Sequence, residues 1–513
     1  MNYDPIRVHR TLKDIFGYDA FRPGQQEVVD ALLAGQDVLA VMPTGAGKSI
    51  CYQLPALLLP GITVVVSPLI SLMQDQVQAL IQMGVRAAYI NSSLTENQCR
   101  KALANACDGM YKIVYVAPER LLTPGFLRFS HSVQISLLCV DEAHCVSQWG
   151  QDFRPSYLQI RQFADQLNQR PPLGAFTATA TQRVKDDIRQ LLALRQPLEL
   201  TTGFDRPNLF FEVQRMEERE KFPCLLAYLN DHPQATGIVY CSTRKKVDEV
   251  YEKLIGQNIA AARYHAGMAP EERQRSQEAF LFDQVRVMVA TNAFGMGIDK
   301  SNVNFVIHYN MPLDLESYYQ EAGRAGRDGQ DADCILLYSA GDVRTGNFLI
   351  DNSEPAAGAS PEEVETQLLR QKDRLRQMTF YCHSRYCLRG EILKYFGQRT
   401  GREGCGACSV CRPDLQRASV VKLAAKSAAK LKAIEEKDLN ADHLQQLKDL
   451  RLKLARQAGV PAFVVFTDAT LRAMCAHLPK TREALLEVSG VGVRKCEQYG
   501  EEFLALLNTF EKE

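Results

Sequence analysis

The sequence predicts a multidomain α/β protein in which two parallel sheets covered by helices precede a helical carboxy-terminal part. Three observations support this. From about residue 36, short β-branched runs (DVLAVM, ITVVVS, KIVYVA, SLLCVD) alternate with longer stretches of helical periodicity. The alternation repeats after FDRPN, in GIVYCS, VRVMVAT and NFVIHYN. At 513 residues the chain is also too long for a single hydrophobic core.

Changes in this pattern set the expected domain boundaries. The first α/β domain is expected at 1–205 and the second at 206–340, with a cleft between them. A helical module that ends in clustered cysteines follows at 341–413, then an Ala/Lys-rich connector at 414–441. The last domain, 442–513, has helical periodicity throughout.

Composition restricts the compartment and the partners. Lys plus Arg equal Asp plus Glu at 60 each, so overall charge gives no argument for a nucleic-acid partner, which a local patch would have to bind. No run approaches the roughly 18 apolar residues of a membrane span, and the first residues lack the apolar core of a signal peptide. Most of the 15 cysteines stand singly in apolar stretches, as reduced thiols do. We therefore expect a cytosolic protein without membrane attachment.

A phosphate-binding loop is predicted at PTGAGKS, because this segment follows a predicted strand and precedes a helical stretch. Its glycines let the backbone N–H groups approach phosphates, Lys48 bridges the terminal phosphates, and Ser49 offers a ligand to magnesium. Met42 stands where the strict pattern has glycine. The alternative, a glycine-rich turn without a ligand, is disfavoured by the flanking elements. The expected ATP-binding residues here are Thr44, Gly45, Gly47, Lys48 and Ser49.

Two adjacent carboxylates follow another predicted strand. LLCV leads into Asp141 and Glu142 of DEAH, at the strand end where open α/β sheets place their ligands. Asp141 is suited to holding magnesium and Glu142 to orienting the attacking water. An exposed acidic turn is the alternative. Together with the phosphate-binding loop, the pair predicts hydrolysis of a nucleoside triphosphate.

The second α/β domain contains QEAGRAGR, which begins at Gln320 and places Arg324 and Arg327 three residues apart. The two arginines share one face if the segment is helical. Their guanidinium groups could then reach the γ-phosphate across the cleft. A surface arginine pair would have the same sequence, so we include these three residues among the catalytic candidates because of the other motifs.

A zinc site is predicted from the spacing of Cys405, Cys408 and Cys411, since four thiolates suit tetrahedral Zn²⁺ and closed sites of this kind are structural. Cys387 and Cys382 both compete for the fourth position. A redox pair is the alternative, although three evenly spaced thiols suit a metal better.

Candidate DNA contacts are weaker. Trp149, Phe153 and Arg154 combine aromatic rings with a cation, which suits base stacking and phosphate contact on a single strand, although Trp149 and Phe153 could also be a core pair. In the connector, Lys422, Lys426 and Lys430 share one helical face, although a face of this kind more often belongs to a solvated linker helix. Near the end of the chain, the turn SGVG precedes Arg494 and Lys495 and could bind a DNA phosphate or simply join two helices.

At this point the order of the motifs resembles that of RecQ helicases. FRPGQ, PTGAGKS, SPLISLMQDQ, APERL, DEAH, SQWGQDFRP, TATA, ATNAFGMGIDK and QEAGRAGRDG follow one another across nearly all of 12–340. The segment from about Leu444 resembles the small helical domain called HRDC, for helicase-and-RNase-D C-terminal.

The resemblance implies two RecA-like domains that bind ATP and Mg²⁺ between them, and movement from 3′ to 5′ on single-stranded DNA. Tyr18, Arg22 and Gln25 would contact adenine, and Thr177–Ala180 would link the nucleotide state to the other lobe. SQWGQDFRP matches the family's aromatic-rich loop, which couples DNA binding to hydrolysis, although many relatives have histidine at the position of Gln151. The family pattern also assigns the fourth zinc ligand to Cys387 and leaves Cys382 as a spare thiol.

The same resemblance implies roles in recombination, repair and replication. We accordingly expect single-stranded and forked DNA as substrates, single-strand-binding protein as a partner, a monomeric state and association with the bacterial nucleoid. RNA is an alternative substrate, because these motifs do not distinguish the two sugars.

One departure from the family stands out. Typical bacterial members carry a winged-helix domain of about a hundred residues after the zinc module. Here only 412–441 separates Cys411 from the last domain, which is too short for that fold. Duplex binding would then fall to the zinc module, the connector lysines and the last domain. The alternatives to a helicase are an ATP-dependent translocase that separates strands poorly and a zinc-stabilised binding scaffold.

Overall fold

The first sheet lies in the amino-terminal lobe of the computed structural model, which describes residues 4–43, 45–150, 153–294, 300–353, 360–398, 404–415 and 441–510. Its strands are β1 (Val38–Val41), β2 (Ile62–Val66), β3 (Ala87–Ile90), β4 (Ile113–Val116), β5 (Ile135–Val140), β6 (Leu173–Thr177) and β7 (Leu198–Thr201). They pair in parallel in the order β3-β4-β2-β5-β6-β1-β7. The inner strands are apolar on both faces because helices cover both sides of the sheet.

The helices of this lobe begin at residues suited to capping. Thr95, for example, accepts from the backbone of Gln98, whose side chain bonds back to Thr95. The helices are α1 (Pro5–Thr11), α2 (Gln25–Leu33), α3 (Lys48–Leu58), α4 (Ile70–Gln82), α5 (Glu96–Cys107), α6 (Pro124–Ser132), α7 (Gln159–Gln166) and α8 (Gln182–Leu191). A π-helical turn at Leu12–Phe16 continues α1, and short 3₁₀ turns lie at Pro118–Arg120, Ala143–Val146 and Pro155–Leu158.

The second lobe repeats the architecture with a six-stranded parallel sheet in the order β10-β11-β9-β12-β13-β8. Its strands are β8 (Leu209–Arg215), β9 (Gly237–Tyr240), β10 (Ala261–Tyr264), β11 (Val287–Ala290), β12 (Phe305–His308) and β13 (Ala332–Tyr338). Its helices are α9 (Glu218–Asp231), α10 (Arg244–Ile255), α11 (Pro270–Leu281) and α12 (Leu315–Ala322). Gly237 starts the central strand because the ring of Phe305 lies against it, only 2.4 Å from where a Cβ would be.

The zinc module extends this second sheet. It contains α13 (Ala340–Asp351), α14 (Pro361–His383), α15 (Leu388–Tyr395) and a short turn at Pro413–Leu415. Phe211 of the edge strand β8 donates its N–H to the carbonyl of Ala407 at 3.2 Å and accepts from the N–H of Ser409 at 2.9 Å. The cysteine-rich segment therefore adds backbone pairing at the sheet edge.

The module also holds the segment that joins the two lobes. Phe204 stacks on Phe396, with ring centroids 4.4 Å apart. The buried guanidinium group of Arg389 donates to the carbonyls of Pro207 at 3.1 Å and Leu209 at 2.6 Å. These contacts fix the path of the chain between the lobes, which we call the hinge (203–209).

The last domain is a helical bundle with its own apolar core. It contains α16 (Ala441–Ala458), α17 (Ala462–Val465), α18 (Asp468–His477), α19 (Arg482–Leu486) and α20 (Val493–Leu507). It packs on the first lobe through two glycine turns, where the N–H of Gly490 donates to the carbonyl of Gly17 at 2.9 Å. A Cβ on Gly17 would lie 2.8 Å from the nitrogen of Gly492, so glycine is required at this approach.

The structure has the predicted architecture: two parallel-sheet α/β lobes, a helical module with four clustered cysteines and a small helical bundle. The predicted basic connector, with Lys422, Lys426 and Lys430, lies outside the described residues. Among the described helices, none has the length and apolar character needed to cross a membrane.

Candidate nucleotide site and zinc centre

The phosphate-binding loop joins β1 to α3. Gly45 and Gly47 have positive φ angles of 85° and 79°, which side chains with a Cβ rarely adopt. Lys48 begins α3, and its Nζ lies 3.4 Å from the carbonyl oxygen of Met42 at the base of the loop. Thr44 lies outside the described residues. The loop therefore has the conformation that a helix N-terminus needs to receive phosphate.

The expected adenine-contacting residues are tied directly to this loop. The buried Gln25 side chain donates through Nε2 to the carbonyls of Ala46 at 3.0 Å and Gly47 at 3.2 Å. Its Oε1 accepts the backbone N–H of Arg22 at 2.9 Å, and the Arg22 guanidinium group bonds to the carbonyl of Gly45. Tyr18 packs nearby on the apolar cluster beneath α1 and α2. These hydrogen bonds would fix the position of a base bound by this segment relative to phosphates bound by the loop.

The acidic pair lies at the carboxyl end of β5, as predicted. Glu142 has a left-handed backbone with φ 48°, a conformation that costs on the order of 1–3 kcal/mol and concentrates at functional sites. The Glu142 N–H donates to Oδ1 of Asp141 at 3.0 Å. Tyr157 donates its hydroxyl to the carbonyl of Asp141 at 2.9 Å and so supports the turn from below.

The two carboxylates differ in acidity. Burial, followed by the neighbouring charge of Glu142, raises the pKa of Asp141 to about 7, while Lys48 opposes the shift. Burial also acts to raise the pKa of Glu142, but Lys48, His144 and the two cross-cleft arginines outweigh it and lower that pKa. Glu142 is therefore the carboxylate that stays ionised and can orient and deprotonate water.

Magnesium fits the donor set at this point. Asp141 supplies a carboxylate and Ser49 a hydroxyl, both oxygen ligands that Mg²⁺ prefers. Both groups affect the pKa of the buried Tyr52 hydroxyl, which the charge of Asp141 raises and Ser49 lowers. When bound, Mg²⁺ would neutralise charge on the phosphates and keep Asp141 ionised.

His144 is a functional candidate to which the sequence analysis assigned no role. Its ring is buried, and Nδ1 lies 3.3 Å from Oε2 of Glu142 and 2.8 Å from Oγ1 of Thr177. The hydroxyl of Thr177 bonds in turn to the carbonyl of Thr179 at 3.0 Å. The histidine thus connects the catalytic glutamate to the TATA segment. In the sequence, His144 could have been found as the fourth residue of the DEAH motif.

The TATA segment contacts the second lobe. Gln320 of α12 donates through Nε2 to Oγ1 of Thr179 at 3.1 Å. The helical interpretation of the arginine pair, however, is wrong, because α12 ends at Ala322. Turns follow, with Gly326 at φ 58°, so Arg324 and Arg327 do not share a helix face. Both arginines nevertheless lower the pKa of Glu142, which places them within electrostatic reach of it across the cleft.

Arg206 is a second residue missed from the sequence. Its NH2 donates to the carbonyls of Ala325 at 3.1 Å and Gly326 at 2.8 Å, so it braces the turn between the two arginines. A Cβ on Gly45 would lie 3.4 Å from NH1 of Arg206 and 3.6 Å from Cα of Arg327. The arginine turn therefore packs directly on the phosphate-binding loop. In the sequence, FDRPN, which contains Arg206, indicates only the boundary between the two α/β domains.

The four sulfur atoms of Cys387, Cys405, Cys408 and Cys411 lie within 4.8 Å of one another, a separation that fits tetrahedral zinc. The N–H groups of Gly390, Ala407 and Cys411 point at three of these sulfurs, at 3.3–3.5 Å. Such donors stabilise thiolates and fix the orientation of the ligands. Zn²⁺ in this site would hold the fold of the module rather than perform chemistry.

Cys382 lies elsewhere. It is buried at the end of α14, and burial raises the pKa of its thiol. It is absent from the metal-ligating groups found among the described residues. The cysteine that starts α15, Cys387, occupies the fourth position instead.

The aromatic-rich loop follows the DEAH turn. Trp149 is half-buried, and two guanidinium groups, those of Arg183 and Arg370, lie over its ring. Phe153 is also half-buried, and Arg154 donates to the carbonyl of Pro68 at 2.8 Å. Gln151, where the chain departs from the family, lies outside the described residues.

The carboxy-terminal candidates take part in domain packing. The N–H of Gly490 is bonded to Gly17 and so is not available to a phosphate in this structure. The Arg494 side chain lies against Gly84 of the first lobe. Burial lowers the pKa of Lys495 to about 8. The SGVG turn thus joins the bundle to the motor lobe, as well as joining two helices.

The two lobes, with a phosphate-binding loop and an acidic pair on one sheet and arginines from the other, define a nucleoside-triphosphate hydrolase of the two-lobed motor class. Four family profiles match: "DEAD/DEAH box helicase" over 22–188, "Helicase conserved C-terminal domain" over 220–329, "RecQ zinc-binding" over 340–412 and "HRDC domain" over 440–507.

Similar proteins identify the family. The chain is 38% identical to "ATP-dependent DNA helicase RecQ" of Bacillus subtilis, with 98% of this chain and 99% of that protein covered. It is 32% identical to the Pasteurella multocida protein of the same name, covering 98% and 93%. "ATP-dependent helicase SGS1" of Saccharomyces cerevisiae is 39% identical over 78% of this chain and 28% of its own length. The chain belongs to the RecQ family.

Solved structures agree on the fold. S. cerevisiae Dbp5 bound to RNA and ADP BeF3 superposes with a TM-score of 0.54 at 18% identity, covering 72% of this chain and 97% of that one. The DUF1998 helicase MrfA bound to DNA has a TM-score of 0.54 at 20% identity, covering 74% and 57%. At these identities the likeness concerns the arrangement of the lobes.

Replacing Glu142 with glutamine should leave ATP binding nearly unchanged and lower kcat for hydrolysis by about 10²- to 10⁴-fold, because the amide keeps the size but cannot accept the proton of water. Phosphate release and ATP titration measure the two effects. Glu96→Gln, on the exposed face of α5, is the control. A parallel loss of ATP affinity in Glu142→Gln would contradict the assigned role.

Replacing Cys408 with serine should reduce bound zinc from about one ion per chain to none, because the four thiolates form one closed site. Metal analysis of the purified protein measures this. Cys382→Ser is the matched control, since it removes another buried thiol of the same module and should retain the ion. Equal zinc loss in both variants would contradict the ligand set.

Proposed function

We propose that the protein is an ATP-dependent DNA helicase that moves 3′ to 5′ along single-stranded DNA and unwinds duplexes in recombination, repair and replication. The observation that carries the proposal is the environment of Glu142, with Lys48 on its own lobe and Arg324 and Arg327 from the other. The names of the RecQ relatives supply DNA as the substrate.

Hydrolysis in this arrangement requires both lobes. Lys48 and the loop glycines hold the phosphates, and Glu142 orients the attacking water. Arg324 and Arg327, braced by Arg206, face the charge that develops on the γ-phosphate. Loss of that phosphate removes their shared anion, so the lobes part and close again once per cycle. A lobe that holds DNA in one of these states would step along it.

The absence of a winged helix has support from the alignment with the Bacillus subtilis protein. That alignment runs over 598 positions, whereas this chain has 513 residues, so at least 85 positions of the relative face gaps. Together these positions amount to about the length of one small domain. We infer that duplex contacts pass to the zinc module, to the connector lysines Lys422, Lys426 and Lys430, and to the HRDC bundle with Arg494 and Lys495.

A translocase with weak strand separation is less consistent with the relatives, which are named helicases. RNA is also less consistent with these names. We further propose a cytoplasmic, nucleoid-associated monomer that works with single-strand-binding protein on single-stranded and forked DNA.

Unwinding of a 3′-tailed duplex, beside a 5′-tailed one and a 3′-tailed RNA duplex, tests the proposal. With ATP and Mg²⁺ we expect strand separation on the 3′-tailed DNA alone, and none with Lys48→Ala, because hydrolysis drives the stepping. Strand separation and phosphate release are measured together. DNA-stimulated hydrolysis without strand separation would establish the translocase instead, and hydrolysis that ignores DNA would contradict both.

A further inference from the structure

Two arginine side chains lie against the indole ring of Trp149. The guanidinium carbon of Arg183, on α8 of the first lobe, lies 2.8 Å from the ring centroid. That of Arg370, on α14 of the zinc module, lies 3.4 Å from it. Cations over an indole face are attracted by the ring's electrons, and Trp is the strongest partner for this contact. The zinc module therefore contacts the first lobe at this ring.

A second arginine of α14 holds the backbone of the same loop. Arg374 bonds to the carbonyl of Trp149 and donates to the carbonyl of Gly150 at 3.5 Å. Arg370 and Arg374 are four residues apart on one helix and so lie on one face. Three arginines converge on Trp149. Burial, followed by the charges of Arg183 and Arg374, lowers the pKa of Arg370, while Asp187 opposes the shift. The excess of cations over carboxylates makes the cluster a favourable place for an anion.

The loop is packed against the catalytic turn. The backbone N–H of Trp149 donates to Oγ of Ser147 at 3.0 Å, and that hydroxyl donates to Oδ2 of Asp187 on α8 at 2.6 Å. A Cβ on Gly150 would lie 2.4 Å from the carbonyl oxygen of His144, so the loop backbone touches the turn that carries the histidine. His144 contacts Glu142 directly. A displacement of Trp149 would therefore act on the catalytic glutamate through its nearest backbone neighbours.

We propose that Arg370 and Arg374 are positioning residues that restrain Trp149 and its loop until single-stranded DNA takes their place. A nucleobase stacks on the indole face that Arg370 covers. Arg370 then leaves the ring, Arg374 leaves the loop carbonyls, and both pair with the DNA phosphate. The zinc module thus keeps hydrolysis low in the absence of DNA. The inference rests on the proposed DNA-dependent function and identifies the contacts that suppress it.

The double variant Arg370→Ala/Arg374→Ala tests this directly. Without DNA, we expect the rate of ATP hydrolysis of this variant to rise about tenfold. The variant lacks the cation–π contact of Arg370 and the neighbouring contacts of Arg374 that restrain the loop. At saturating DNA, kcat should stay close to that of the wild type, so the ratio of stimulated to basal rate falls. Arg376→Ala is the matched control, because Arg376 lies on the same helix, is exposed and pairs only with Asp373 among the described contacts.

Trp149 is the only tryptophan of the chain, so its fluorescence reports the restraint independently of activity. Acrylamide should quench it more strongly in the double variant than in the wild type or Arg376→Ala, since the ring loses its cover. Arg370→Lys, which keeps a cation over the ring, should retain a low basal rate and protected fluorescence. Retained zinc in every variant confirms a folded module.

An unchanged basal rate with weaker, more salt-sensitive DNA binding would overturn the proposal and make the arginines simple phosphate contacts. Unchanged acrylamide quenching would overturn it as well. The proposed function fails separately, if wild-type hydrolysis does not respond to DNA at all. In that case the quenching comparison still decides whether Arg370 and Arg374 restrain Trp149.

Discussion

The groups that we propose to act in ATP hydrolysis are divided between two sheets, and this division governs the rest of the structure. Lys48 and Glu142 belong to the first lobe, whereas Arg324 and Arg327 reach them from the second. The interaction between these charges strengthens when the lobes close, because closure shortens the distances and excludes water from the cleft. Any element that fixes the relative placement of the lobes therefore controls the chemistry.

The zinc module is such an element. Cys387 is the N-cap of α15. Arg389, in the first turn of that helix, donates hydrogen bonds to the hinge carbonyls of Pro207 and Leu209. On the other side, the segment that holds Cys408 pairs with β8. A metal that closes the cysteine cluster thus holds the hinge path and the edge of the second sheet together. Its structural role extends to the cleft without any contact with ATP.

The sequence predicted the parts of the site that are contiguous in the chain. The phosphate-binding loop, the acidic pair and the cysteine spacing each lie within a few residues, so local geometry determines their chemistry. Parallel strands can also be recognised in the sequence, since burial on both faces makes them continuously apolar. The fold class followed from these two facts.

The parts that were missed depend on distant segments or on local breaks. Arg206 and the arginine turn it braces are far apart in sequence, as are Trp149 and Arg370. Whether QEAGRAGR is helical as far as Arg327 stays open in the sequence, because a spacing rule cannot foresee that the helix ends at Ala322 and that Gly326 turns the chain with a positive φ. The docking of Gly490 on Gly17 likewise requires two glycine turns to meet across domains.

The central claim is that DNA binding at the aromatic-rich loop precedes and triggers hydrolysis at Glu142. Stopped-flow mixing of the ATP-bound protein with oligo-dT tests it, with Trp149 emission and phosphate release followed in the same experiment. The account predicts that Trp149 is quenched first, at a rate that rises with DNA concentration, and that phosphate release follows with a lag. Phosphate release that accelerates before Trp149 changes, or without any change in its emission, would contradict it.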